Sequence, residues 1–242
     1  MAIPLHRTLT YINIADFSRE LSQRDIKEVC TRGHAKRLRP GEAVFIAGDP
    51  ATSVCLVLGG LLGLIRSQEE GRELIVALMR RGEVFGVQGL LGHFPELDTA
   101  RALTACEVCC FTPEEFRRLV TARPHLAFTV IKSLAGKVTM LKNRVEALAF
   151  KSLPARLADL LLQFAWTFGK RVGHGIHLAI PLTQQNLADL VAASRQHVNY
   201  VLADFRARRL IQGKGPSLTL INVEELKTIA QGYSIATSAR RT

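Results

Sequence analysis

The sequence is poor in aromatic residues, in acid and in long apolar runs. Only 6% of its 242 residues are aromatic, with a single Trp, and 21 Asp and Glu face 32 Lys and Arg. The longest apolar run, Val54 to Ile65, covers 12 residues and contains Gly59, Gly60 and Gly63. That is too short for a bilayer span and reads as strand, turn, strand. The opening residues, MAIPLHRTLT, lack the charged start and apolar stretch of a secretion signal. These absences point to the cytosol and away from a membrane. Cysteine is scarce: Cys30, Cys55, Cys106, Cys109 and Cys110 are odd in number, which argues against a disulfide framework and a zinc knuckle. Walker loop, nucleophile elbow and metal-ligand cluster are all missing, so an enzyme is the least favoured class. No catalytic residue, metal or cofactor is expected.

What the chain has is positive charge, unevenly placed. The net charge is +11. Residues 151–242 hold 12 Lys and Arg against 5 Asp and Glu, while residues 1–150 hold 20 against 16. The denser excess lies in the C-terminal part, where a polyanionic partner would bind.

The texture changes along the chain. Residues 19–30 (RELSQRDIKEVC) form an amphipathic helical pattern. From about Ala35 to Phe111, short apolar runs alternate with turn signals such as Pro40-Gly41, Gly48-Asp49-Pro50 and Glu70-Gly71. Runs fall at Ala43–Ala47, Val54–Leu58, Gly60–Ile65, Glu73–Leu78, Glu83–Gly86, Arg101–Thr104 and Glu107–Phe111. This spacing predicts a small antiparallel β roll or barrel. Thr112-Pro113-Glu114-Glu115 then predicts a helix start, with Thr112 as N-cap and Glu115 closing a capping box.

After Pro124 a long helix carries Ile131, Leu134, Val138, Leu141, Val145 and Leu148 at steps of three and four. This is a heptad seam. It suits either a dimer helix or packing on the same domain, and so narrow a stripe favours self-association. Ser152-Leu153-Pro154 breaks the pattern and starts a new helix, Pro154 to Phe168. The expected division is residues 1–124, 125–150 and 151–242.

Thr183 to Arg209 holds the most specific pattern. Thr183 can cap a helix with buried Leu187, Leu190 and Val191, and Ala192-Ala193 makes a tight turn. Ser194 can cap a second helix with buried Val198, Val201, Leu202 and Phe205. This is helix-turn-helix spacing. The outer face of the second helix is Arg195, Gln196, Asn199 and Tyr200, beside His197. Arginine at a recognition-helix start suits the O6 and N7 of guanine, and Gln196 suits adenine. Thr183, Gln185 and Ser194 sit at helix N-termini, where phosphates bind. Arg206, Arg208 and Arg209 add charge at the far end. A strand-turn-strand follows around Gly213-Lys214-Gly215-Pro216, with Lys214 at a tip that can meet a phosphate, and a helix starts at Asn222 with Glu225 in the capping-box position.

Together these residues resemble the cyclic-AMP receptor protein and fumarate-nitrate regulator (Crp–Fnr) family. The likeness runs from about Phe17 to Ile221. It is carried by Gly41, Gly48, Gly59, Gly71, Gly82 and Gly86, by Thr104-Ala105-Cys106-Glu107-Val108, by Leu148-Ala149-Phe150 and by Ser194-Arg195. The resemblance implies an α+β chain: an N-terminal cyclic-nucleotide-binding-like β roll, a long dimerisation helix and a C-terminal winged helix-turn-helix. It implies a homodimeric transcription regulator on palindromic double-stranded DNA, with RNA polymerase as a further partner, and a hinge at Phe150 to Pro154. It makes Arg195 the guanine reader.

The departures from the family pattern fall in two places. In the reader, Gln196 stands for Glu, Tyr200 for a second Arg and Ala192 for the turn glycine. In the effector region, Phe85-Gly86 is followed by Val87 rather than Glu, Glu96-Leu97 stands for the phosphate-holding Arg-Ser, and Leu141-Lys142 stands for the adenine-facing Thr-Ser. A cyclic phosphate needs a cation or donors, and Glu96 would repel it. Cyclic AMP is therefore not expected to bind.

Weaker signals remain. Only Cys30 lies where the family's iron-sulfur cysteines cluster, which argues against a cluster. Cys109-Cys110 reads as a core strand with one side chain in and one out, and as a thiol switch in the alternative. His93 lies in a loop near where haem-binding relatives place a ligand, yet a surface histidine is the commoner reading. His174 and His177 flank a turn rather than a metal.

Overall fold

The computed structural model describes residues 30–31, 33–69, 71–92, 94–179, 182–214 and 217–232. The helix expected at 19–30 lies outside the described residues apart from Cys30, and His93 lies outside them too. The described chain divides into two compact units, one ending at Thr139 and the other starting at Met140.

The first unit is two antiparallel four-stranded sheets. One runs β1 (His34–Leu38), β8 (Cys106–Phe111), β3 (Val54–Gly59) and β6 (Val84–Phe85); the other runs β2 (Ala43–Phe45), β7 (Thr99–Ala102), β4 (Leu61–Ser67) and β5 (Glu73–Arg80). This is the expected β roll. Val54, Leu56, Val84, Cys109 and Phe111 form a core with Phe116 and Leu119 of helix α1 (Pro113–Ala122). Burying such side chains contributes roughly 1.5–3 kcal/mol each. The β3–β4 turn depends on Gly60, at φ 84°, where a Cβ would stand 2.2 Å from the Ala105 carbonyl oxygen. Helix α1 starts as the sequence predicts: Glu115 N–H donates to Thr112 Oγ1, and the Glu115 carboxylate accepts from Thr112 N–H at 2.8 Å.

Two details differ. β1 was not foreseen, because four of its five residues are exposed and show no alternation. β7 begins at Thr99, two residues before the expected Arg101, and Thr104-Ala105 belongs to the turn before β8.

Helix α2 (Pro124–Phe150) is 27 residues long and contains the division between the units. Its end coincides with the expected break. Helix α3 (Leu153–Phe168) follows, with Ser152 Oγ accepting from Ala155 N–H and proline in its first turn. The second unit also has α4 (Gln184–Val191), α5 (Arg195–Ala207) and α6 (Val223–Gln231). Its sheet runs β11 (Ile211–Lys214), β12 (Ser217–Leu220), β10 (Gly175–Ala179) and β9 (Gly169–Val172). The α3 helix is the centre of this unit: Leu157, Leu160, Leu161 and Phe164 are fully buried, and α3 packs on α4, α5, α6 and β10.

Candidate nucleic-acid interface

Local hydrogen bonds set the geometry of the helix-turn-helix. Thr183 Oγ1 accepts from Asn186 N–H at 3.1 Å, and Asn186 Oδ1 accepts in return from Thr183 N–H at 3.0 Å. This reciprocal cap on α4 was not read from the sequence, because the usual partner is Glu or Gln. The turn bends at Ala192, φ 52° and ψ 57°, a left-handed conformation that costs an L-residue roughly 1–2 kcal/mol. Ser194 then caps α5 by accepting from His197 N–H at 3.2 Å.

The buried faces are those the spacing predicts. Leu187, Ala188, Leu190, Val191, Val198, Val201, Leu202 and Phe205 are all inside. Arg195, Gln196, His197 and Tyr200 are exposed, Tyr200 at 77%. Asn199 departs from the expected outer face: it is half-buried, with Oδ1 shut off from water and without a hydrogen-bond partner. His197 is anchored, its Nδ1 lying 3.1 Å from Ser194 Oγ. Gln185 donates to Asp189 Oδ1 at 2.7 Å on its own helix.

The basic tract at the C-terminal end of α5 is largely structural. Arg206 Nε donates to the Gly213 carbonyl at 2.9 Å and ties α5 to β11. Arg208 pairs with Glu225 at 2.6 Å and Asp204 at 3.5 Å, and its guanidinium is held further above its ordinary pKa, chiefly by the Glu225 hydrogen bond. Arg209 is exposed. Lys214 ends β11, and the turn residues Gly215 and Pro216 lie outside the described residues.

The seam residues of α2 all face away from the protein's own core. Ile131, Leu134, Val138, Leu141, Val145 and Leu148 are between 36% and 67% exposed. Of the two hinge candidates, Phe150 is exposed at the end of α2 and Pro154 is exposed in the first turn of α3.

Two regions of the chain match family sequence models: the cyclic nucleotide-binding domain over residues 35–123 and the Crp-like helix-turn-helix domain over residues 155–229. The CRP-like cAMP-activated global transcriptional regulator of Mycobacterium tuberculosis is 30% identical over 196 residues, which is 79% of this chain and 88% of the relative. The chain belongs to the Crp–Fnr family. It is a DNA-binding transcription regulator rather than an enzyme. The global nitrogen regulator of Synechococcus elongatus is also 30% identical, over 75% of this chain and 83% of that protein. Among solved structures, a CooA mutant from Carboxydothermus hydrogenoformans superposes with a TM-score of 0.77 at 20% identity, covering 92% of this chain and 99% of that one. The c-di-GMP responsive regulator CLP of Xanthomonas campestris gives 0.73 at 24% identity, covering 81% and 97%. At these identities the two structures speak for the fold.

Around Phe85 and Glu96 this Crp–Fnr chain has an inward-turned set of polar groups. Phe85 is buried against Phe45, with ring centroids 5.9 Å apart, and Gly86 takes φ 70° where a Cβ would stand 2.5 Å from the Ser53 carbonyl oxygen. Val87 opens a short 3-10 helix (Val87–Leu91). Glu96 is 3% exposed, and burial with Asp98 and Asp49 nearby pushes its carboxyl up to about 7. Its Oε1 lacks a hydrogen-bond partner. Leu97 points outward, 53% exposed. Leu141 is 40% exposed and Lys142 is exposed, and both belong to the second unit. Sequence reasoning missed Glu83 and Lys137. Glu83 is 1% exposed and accepts from Arg80 N–H at 2.8 Å; the Lys137 ammonium donates to the Val84 carbonyl, and burial holds its pKa below the usual lysine range. A cavity of about 10 Å³ lined by Leu56, Val84, Phe111, Phe116 and other apolar residues is a packing gap, with no polar group to hold a ligand.

The cysteines correct the sequence reading. Cys55 and Cys110 lie opposite each other in the β3–β8 register and form a disulfide. Cys109 faces the core as expected, and its thiol and that of Cys30 hydrogen-bond to each other, with burial raising both pKa values. Cys106 and Cys109 have the spacing of a CxxC pair, which a reading by cysteine number passes over. They lie along an extended strand, which sends side chains three apart to opposite faces. Among the described residues no group of three His, Cys, Asp or Glu is placed to hold a metal, and no helix is long and apolar enough to cross a membrane.

Proposed function

We propose that this regulator works in the cytosol as a homodimer on a palindromic operator and does not answer to cyclic AMP. The observation that carries the proposal is the surface of α5. A helix capped at Ser194 presents Arg195, Gln196 and Tyr200 to water, while its opposite face is buried. Arg195 reads guanine through two parallel donors, and Gln196 offers a donor and an acceptor to adenine. Tyr200 extends the readout along the groove, with Asn199 and His197 supporting its neighbours. The N-terminal amides behind Thr183 and Ser194, with Gln185 and Lys214, take phosphates.

The exposed stripe from Ile131 to Leu148 supports dimerisation. Six apolar side chains at heptad spacing, open to water over some five turns, are the surface a second copy would cover. Two-fold symmetry of the protein then calls for two-fold symmetry of the DNA, with reader helices about one turn apart. Movement at Phe150 to Pro154 adjusts that separation, and RNA polymerase is the expected further partner.

The effector preference follows from charge. The mycobacterial relative is named as cAMP-activated and the Xanthomonas neighbour as c-di-GMP responsive, so one fold serves different signals. In this chain Glu96 and Leu97 offer no cation to a cyclic phosphate, Val87 offers no carboxylate to a ribose, and Leu141-Lys142 offers no hydroxyl pair to adenine.

The Cys55–Cys110 disulfide supports a second reading, control by thiol oxidation. Cytosolic disulfides in ordinary bacteria are usually transient and redox-sensing. Operator affinity unchanged by dithiothreitol or diamide removes it. A haem ligand at His93 has no structural observation behind it.

Selection of duplexes from a random pool tests the main proposal. The expected product is a two-fold-symmetric site with a guanine in each half, bound equally with and without cyclic AMP, and released steeply as salt rises. Enrichment of asymmetric sites, or none, contradicts it.

A further inference from the structure

The last carbonyls of a helix have no partner in their own helix. In α4, whose C-terminus is the turn of the helix-turn-helix, two of them are met by arginines from other helices. Arg144 of α2 donates from its guanidinium to the Leu190 carbonyl at 2.7 Å. Arg156 of α3 donates to the Val191 carbonyl, also at 2.7 Å. The Ala188 carbonyl is closed by the backbone N–H groups of Ala192 and Ala193. Both guanidinium groups also lie at the negative end of the α4 dipole.

The two arginines differ in where they come from. Arg156 lies within the reader unit's own central helix. Arg144 lies on α2, among the residues of the exposed seam. The C-terminal turns of α2 carry two stripes: Leu141, Val145 and Leu148 are open, while Met140, Arg144 and Ala147 are 4% exposed or less. Arg144 is thus the inward side of the dimer helix, fastened by a charge-assisted bond to the turn that sets the angle of α5. Such bonds are stronger and more directional than neutral ones.

We propose that Arg144 is a positioning residue for operator reading. It locks the helix-turn-helix onto the seam helix, and so fixes the separation and angle of the two reader helices in a dimer. The inference rests on the dimer and palindrome reading above. Arg156 holds the turn within one subunit and does not set the separation.

The test uses the full-length protein and the duplex that the wild type selects from a random pool. Binding is measured to the whole palindrome, to a half-site duplex, and to a palindrome with one base pair inserted at its centre. With Arg144→Met, affinity for the palindrome is expected to fall about tenfold, the loss of one bond to a charged group. Half-site affinity stays within about twofold, since no base or phosphate contact is removed. The penalty for the inserted base pair shrinks. Arg156→Met lowers half-site and palindrome binding together and leaves the spacing penalty intact. Arg144→Gln, made in parallel in case the methionine variant fails to fold, gives the same split. Wild-type palindrome affinity and spacing penalty in the Arg144 variants overturn the inference, and so does a half-site loss as large as the palindrome loss. A wild-type protein that selects no symmetric site takes down the dimer reading and this inference together.

Discussion

In the reader, Arg195, Gln196 and Tyr200 stand in water on a helix whose cap, Ser194, lies immediately before them. In the first unit, Glu83 and Glu96 are withdrawn from water, and the ammonium of half-buried Lys137 is turned in to the Val84 carbonyl. The two units have kept their family architecture by different means. The reader holds its backbone geometry through local caps, with a left-handed alanine at its turn. The β roll keeps its glycine turns and its core, while Val87 and Leu97 are apolar and Glu96 is an inward-turned acid. A fold can outlast its ligand contacts, because turns and core packing depend on residues that never touch the ligand.

The largest effect that sharpens this contrast should come from the seam. Val138→Asp puts a charge on an exposed stripe without touching either core. The expected result is a monomer by sedimentation and a loss of palindrome affinity on the order of 100-fold, because linked half-site binding is lost. Next is the reader itself. Arg195→Ala is expected to cost roughly 1–3 kcal/mol in operator binding and to relax discrimination at one guanine per half-site, as read by titration against base-substituted duplexes.

Glu96 tests the β-roll side of the comparison through pH. Its folded pKa lies near 7, above the unfolded value of about 4.5. The folded state therefore holds a proton that the unfolded chain has released between those values. Stability falls as pH rises from about 4.5 to about 7 and then levels, by roughly 3 kcal/mol at most. Thermal melts across that range should show the slope in wild type and not in Glu96→Gln. The smallest effect belongs to the turn. Ala192→Gly relieves a left-handed alanine at φ 52° and should gain up to about 1 kcal/mol by denaturant unfolding.

What the sequence made legible were the features governed by neighbours a few residues away. The caps at Thr112, Thr183, Ser194 and Asn222 could be read because a cap needs only one side chain and an N–H two or three residues on. The buried faces of α4 and α5 could be read because a helix repeats every 3.6 residues. Contacts between distant segments could not be read this way. The Cys55–Cys110 bond depends on the register of two strands 55 residues apart in sequence. Arg144 looks like an off-seam surface cation until its helix is set beside Leu190, 46 residues further on. Arg206 and Arg208 read as loose positive charge, and only the folded wing and α6 give them partners. Asn199 reads as outward from its spacing, and its half-burial comes from packing that periodicity does not encode.

The central claim is that the family's reader is intact in this chain while its nucleotide site is not. Titration of the selected operator duplex with and without cyclic AMP, alongside calorimetry of cyclic AMP with the protein alone, measures both halves of that claim. The expected result is the same operator affinity in both titrations and no heat of nucleotide binding. Tight cyclic-AMP binding that also strengthens operator binding would contradict the account.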